Sequence, residues 1–143
     1  MSGYVIRETA SGIKFDLTAV NGQVILTSEV YNTRAAALKG IASIRRTAPG
    51  APVEDRTAAD WQAQPHPRFE MYQDKAGAFR FRLKARNGKI VGVSEGYTGR
   101  TGCMSGIDSV RKNAAEAEIE GYRKNEYGTG QGKNRTDRKK TAG

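Results

Sequence analysis

The chain has 143 residues, of which 37% are hydrophobic and 27% charged, an ordinary composition for one compact soluble domain. Its apolar stretches are strand-sized and its start lacks the basic and apolar runs of a secretory signal, so a helical membrane span is excluded; the single cysteine, Cys103, excludes an internal disulfide and fits a reducing compartment such as the bacterial cytoplasm. The net charge of +9 favours nucleic acid or an anionic surface as partner, and residues 121–143, with seven basic and two acidic groups, hold more than half of the excess.

In chain order, Tyr4–Glu8 alternates apolar and polar residues as a half-buried strand does. Ile13–Ala19 repeats that period of two, and Asn21-Gly22 then supplies the backbone angles of a tight hairpin leading into a third strand, Gln23–Ser28. After Tyr31 the spacing becomes helical, with Leu38, Ile41 and Ile44 on one face and Asn32 or Thr33 as the cap; Ala48-Pro49-Gly50 stops the helix. A short strand at Pro52–Arg56 follows, and a linker over residues 57–68 is held extended by Pro65 and Pro67. Trp61 reads as an anchor folding that linker against the body, since one aromatic makes no platform.

The same order then recurs: strands at Phe69–Asp74, Phe79–Arg86 and Lys89–Ser94, a second Asn-Gly turn at Asn87-Gly88, a helix carrying Cys103, Ile107 and Val110 with Thr98 or Thr101 as cap, and a strand at Glu118–Tyr122. Shifted by 66 residues, Ile13–Ala48 lies on Phe79–Ala114 without a gap, and fourteen of the thirty-six positions are identical. A unit of about fifty residues is too short for a comfortable core of its own, so two copies, 4–56 and 69–122, complete one fold across a pseudo-two-fold axis. The expected architecture is an α+β domain over residues 1–125: two tandem β-β-β-α-β units sharing one antiparallel sheet, with both helices on one face. Residues 126–143 are expected to form a flexible basic tail.

The segment from FEMYQDKAGAFRFRLKARNGKIVGVSEGYTGR to the helix ending SVRKNA closely resembles the repeat of the YegP-like family of small bacterial proteins with no established activity. The first copy resembles the same unit, departing from it at Val30, where the second copy has Gly96. The resemblance implies that the two units share one sheet and exchange their last strands; it implies little about chemistry.

Strand alternation places Arg80, Arg82, Lys84 and Arg86 on one side of their strand at intervals of about 6.6 to 6.8 Å, close to the spacing of phosphates along an extended nucleic-acid strand. The aligned first-copy positions are Lys14, Asp16, Thr18 and Val20, so the stripe belongs to one half. The tail residues Lys133, Arg135, Arg138, Lys139 and Lys140 form a second candidate for phosphate neutralisation. The alternative for the stripe is a solvated surface paired with acidic neighbours such as Glu70 and Glu95. Adjacent strand residues point to opposite faces, so Ser94 and Glu95 do not form a nucleophile and base; His66 stands without a second histidine, and neither a metal nor a cofactor is expected. The expected function is that of a noncatalytic, monomeric binding protein, contacting RNA or DNA without sequence preference. The alternative is a protein-interaction module using a sheet edge or the linker around Trp61.

Overall fold

The structure, a computed structural model, describes residues 1–120; the five basic tail residues from Lys133 to Lys140 lie outside the described residues. Strands β1 (Gly3–Thr9), β2 (Gly12–Thr18) and β3 (Val24–Ser28) form an antiparallel meander, followed by helix α1 (Arg34–Thr47), a 3-10 turn at Ala48–Gly50 and β4 (Val53–Asp55). The second copy repeats this as β5 (Arg68–Gln73), β6 (Phe79–Lys84), β7 (Ile90–Val93), α2 (Arg100–Ala114) and β8 (Glu118–Glu120). One eight-stranded sheet results, in the order β4-β5-β6-β7-β3-β2-β1-β8. Each copy's last strand lies beside the other copy's first. Thr27 of β3 pairs with Val93 of β7, its own counterpart after the 66-residue shift, so the pseudo-two-fold axis passes between them, normal to the sheet.

The sheet is mixed, which corrects the expectation of a wholly antiparallel one. β4 runs parallel to β5 and β8 parallel to β1, so each exchanged strand runs antiparallel to the strand that precedes its helix. Parallel neighbours that are consecutive in sequence need a connection that travels back the length of the strand. Between β4 and β5 the linker must make that journey, and the helices already occupy one face of the sheet.

Tyr4, Ile6, Phe15 and Leu17 of the first copy and Phe69, Met71, Phe81 and Leu83 of the second all point into the helix face and are buried. Both helices approach closely through glycine. A methyl group at Gly40 would collide with the Tyr31 hydroxyl, and one at Gly106 with the Tyr97 hydroxyl; the two tyrosine rings stack on Phe15 and Phe81, with centroids 6.0 and 6.3 Å apart. The equivalent residues Arg45 and Arg111 tie the copies together. Arg45 lies over the Tyr4 ring and donates to the Ala117 carbonyl at 2.7 Å, while Arg111 lies over Phe69 and donates to the Ala51 carbonyl at 2.6 Å. Each helix thereby fixes the segment that leads into the strand supplied by the other copy.

The helix starts differ. Thr33 caps α1, its hydroxyl accepting from the Ala36 N–H at 3.0 Å. In α2 the equivalent position is Gly99, which has no side-chain bond to give, so neither Thr98 nor Thr101 is the cap. No helix among the described residues is long and apolar enough to cross a membrane.

Candidate functional site

On the face away from the helices, β4, β5 and β6 set Glu54, Glu70 and Arg82 in one row. Arg68 and Lys84 form the row on one side, and Tyr72 and Arg80 the row on the other; carrying the β4 register one step further brings Arg56 opposite Tyr72. Glu54 and Glu70 are both wholly buried, at 0% exposure. Two carboxylates cannot stay side by side out of water unless cations surround them. Arg56 Nε reaches Glu54 at 2.6 Å, Arg68 reaches Glu54 at 3.2 Å and Glu70 at 2.6 Å, and Arg82 Nε and Lys84 Nζ reach Glu70 at 2.8 and 3.2 Å.

The linker completes the enclosure. The backbone N–H of Gln64 donates to Glu54 at 2.9 Å, and the Gln64 carbonyl accepts from Arg68. Trp61 lies against the Arg56 guanidinium at 4.8 Å and stays 42% exposed. Burial by itself would raise the Glu70 pKa, but hydrogen bonds from Arg82, Arg68 and Lys84 and the charge of Arg56 outweigh it and hold the carboxyl at about 2. For Glu54 the balance has the same sign: burial pushes up, while the Gln64 N–H, Arg56 and Arg68 pull below the usual range.

Three of the four stripe residues share this face. Arg82 and Lys84 are bound to Glu70, and Arg80 donates to Asp74 at 2.6 Å and to the Ser94 carbonyl at 3.2 Å, while Glu95 acts on it through charge alone. Arg86 departs from the stripe. β6 ends at Lys84, after a bulge between Leu83 and Lys84, and Arg86 sits in the hairpin turn, where it lines an open groove with Arg46, Thr47 and Pro67. The face therefore carries Arg56, Arg68, Arg80, Arg82 and Lys84 against Glu54, Glu70 and Asp74. A second aromatic contact completes it, with the Arg82 guanidinium 4.7 Å from the Tyr72 ring centroid. Among the described residues the first-copy half is arranged differently: Arg7 pairs with Asp16 at 2.8 Å, and the Thr27 hydroxyl donates to the same carboxylate at 2.9 Å.

The Ser-Glu-Tyr corners are structural. Ser94 Oγ accepts from the Phe81 N–H at 2.9 Å and donates to the Glu95 carbonyl at 2.8 Å, and Ser28 does the same with Phe15 and Glu29. Cys103 is buried in α2, and desolvation pushes its thiol up to about 11. Among the described residues, no three His, Cys, Asp or Glu side chains come together as metal ligands would.

This arrangement of two exchanged units recurs in known proteins. The domain of unknown function DUF1508 matches residues 9–55 and again 74–120. The chain belongs to the DUF1508 family. Relatives in it include the UPF0339 protein of Photorhabdus laumondii, 37% identical over 112 residues that cover 78% of this chain and 85% of that one. The UPF0339 protein of Treponema denticola is 56% identical over 52 residues, which are 36% of this chain and 90% of that protein. Among solved structures, the solution structure of the Escherichia coli protein of unknown function yegP matches with a TM-score of 0.68 at 31% identity, covering 82% of this chain and 90% of that one. The DUF1508 fold thus accounts for the architecture, and the relatives' descriptions assign no activity. The buried glutamate pair escapes a reading of the sequence because strand alternation puts both residues on the polar face and says nothing of the linker that covers them. The one available signal is three arginines, Arg56, Arg68 and Arg82, gathered around glutamates on strands of matching alternation.

Proposed function

We propose that this protein is a noncatalytic binding protein that holds nucleic acid without regard to sequence, through the cationic sheet face of its second-copy half. What supports the reading is the surplus on that face: five cations meet three carboxylates that they bind directly and a fourth, Glu95, that acts on Arg80 by charge alone, and hydrogen-bond donors are left over. Arg82 commits only its Nε to Glu70, and Arg56 commits Nε to Glu54 and one terminal nitrogen to Glu70 at 3.6 Å. A guanidinium has five N–H donors, so each of these arginines can still bind a phosphate oxygen while anchored to a carboxylate. The Lys133 to Lys140 segment adds charge to the same task. A noncatalytic role fits a serine whose hydroxyl is fully engaged by the backbone and a thiol raised well above neutrality.

The test is a salt titration of binding to mixed-sequence RNA and DNA. The logarithm of affinity should fall by about 0.7 to 0.9 per phosphate contact for each tenfold rise in salt. Replacing Arg82 and Lys84 together would strip Glu70 of two partners, so the informative variants are Arg82→Gln alone, which leaves Arg68 and Lys84 in place, and removal of residues 129–143. Arg82→Gln should reduce the slope by about 1, and the truncation should reduce it by several. No measurable binding at low salt overturns the reading, and a protein-interaction surface around the linker then takes its place.

A further inference from the structure

Within that reading, on which it rests, we infer that the ligand is a single strand of RNA or DNA whose unpaired bases stack on Trp61 and Tyr72. The connection between the parallel neighbours β4 and β5 passes over the face that the helices leave open, where Gln64 meets Glu54 and Arg68. That crossing brings the chain's one tryptophan onto the cationic array. Trp61 lies on Arg56, Tyr72 lies on Arg82, and both guanidiniums reach Glu70, which lies between them. Arg56 also faces Tyr72 across adjacent strands, so both aromatics belong to the same array. The face thus carries two rings, each in contact with a cation that is itself held by a buried carboxylate.

This arrangement fits single strands better than duplex. A duplex keeps its bases stacked inside and offers this face no base plane, which would leave the exposed Trp61 unused. A single strand offers both a phosphate for the spare donors of Arg56 and Arg82 and a base for each ring. Stacking of this kind does not discriminate between bases, because every base has a π face. It therefore preserves the lack of sequence preference. A ring already paired with a guanidinium is restricted in orientation, so little further ordering is needed when a base arrives. The linker backbone is anchored by Gln64 on both Glu54 and Arg68, which restricts Trp61 to this face.

Trp61 is the only tryptophan in the chain, so its fluorescence reports on this one position. The full chain would be titrated with oligo(dT), oligo(U) and a blunt DNA duplex of equal length. Tryptophan emission would be read alongside the anisotropy of a labelled oligonucleotide. The expected result is tighter binding of both single strands than of the duplex, with quenching of Trp61 that saturates together with the anisotropy. Trp61→Ala and Tyr72→Ala should each weaken single-strand binding roughly 5- to 150-fold and leave duplex binding unchanged. Trp61→Phe and Tyr72→Phe, which keep a ring in place, should retain most of the affinity and show that loss in the alanine variants is not loss of the fold. Binding that is equal for duplex and single strands, or that leaves Trp61 emission and the alanine variants unaffected, overturns the stacking inference while the electrostatic reading survives. Absence of any anisotropy change at low salt overturns both.

Discussion

At the scale of single residues, the two copies provide internal controls for each other. Tyr4 and Phe69 occupy equivalent places beneath Arg45 and Arg111, but only Tyr4 has a hydroxyl, which donates to the Ala114 carbonyl at 2.5 Å. Tyr4→Phe should therefore cost about 1 kcal/mol, the net value of one buried hydrogen bond, without changing the packing, as a denaturant titration would show. The glycine positions are less forgiving. In an open helix, Gly→Ala gains about 1 kcal/mol, but at Gly106 the added methyl meets the Tyr97 hydroxyl, with Phe81 pressed behind it. Overpacking of this kind costs about 1–3 kcal/mol, so Gly106→Ala should be net destabilising, and a thermal melt of the variant that moves upward would contradict the packing described. Cys103, buried and with its thiol raised to about 11 by desolvation, should react with a thiol reagent only after unfolding.

At the scale of elements, the β4 strand and the linker behind it are held by charge more than by apolar contact. Only Val53 of β4 packs against the core, whereas Glu54 meets Arg56, Arg68 and the Gln64 N–H. Glu70 is held at about 2 in the folded protein, against an ordinary value of 4.5. Between these two pH values the unfolded chain binds the extra proton, so the contribution of Glu70 is complete above about 4.5 and is lost as pH falls towards 2. Urea midpoints measured from pH 6 down to pH 2.5 should fall through that window. Glu70→Gln should flatten the dependence and lower stability at neutral pH by about 3–5 kcal/mol, because it leaves Arg68, Arg82 and Lys84 crowded around a neutral group. Strand periodicity made β1, β2, β5 and β6 legible in the sequence to within a residue or two, and the Asn-Gly turns fixed the hairpins. Periodicity could not reveal that Glu70 is buried, because alternation assigns it to the polar face and says nothing of what covers that face. Nor could it exclude Arg86 from the stripe, since the departure follows from a bulge at the end of β6. Trp61 was legible as an anchor, while its position over Arg56 depends on the direction of β4.

At the scale of the whole molecule, the exchange of strands makes the two copies dependent on each other, and it also states what one copy would do alone. A fragment of residues 1–62 keeps β1 to β4 but loses β8 from the edge of β1 and β7 from the edge of β3. It also loses the Ala117 carbonyl that Arg45 holds and the Ala114 carbonyl that Tyr4 holds. A second copy of the same fragment can restore the pattern, because Thr27 would meet Thr27 where it now meets Val93, and Val53 would lie beside Tyr4 where Ile119 now lies. The same holds for residues 63–143. The Treponema denticola relative is consistent with this, since 52 residues make up 90% of its length, about one unit. Each fragment expressed alone should sediment as a dimer, with an unfolding midpoint that rises with protein concentration as mass action requires. Mixing the two fragments should give the heterodimer in preference, because only that pairing reunites Glu54 with Glu70 and Arg56 with the Tyr72 and Arg82 pair. Two stable monomeric halves would contradict the exchange itself, whereas homodimers that resist mixing would show that the charged array contributes little to choosing a partner.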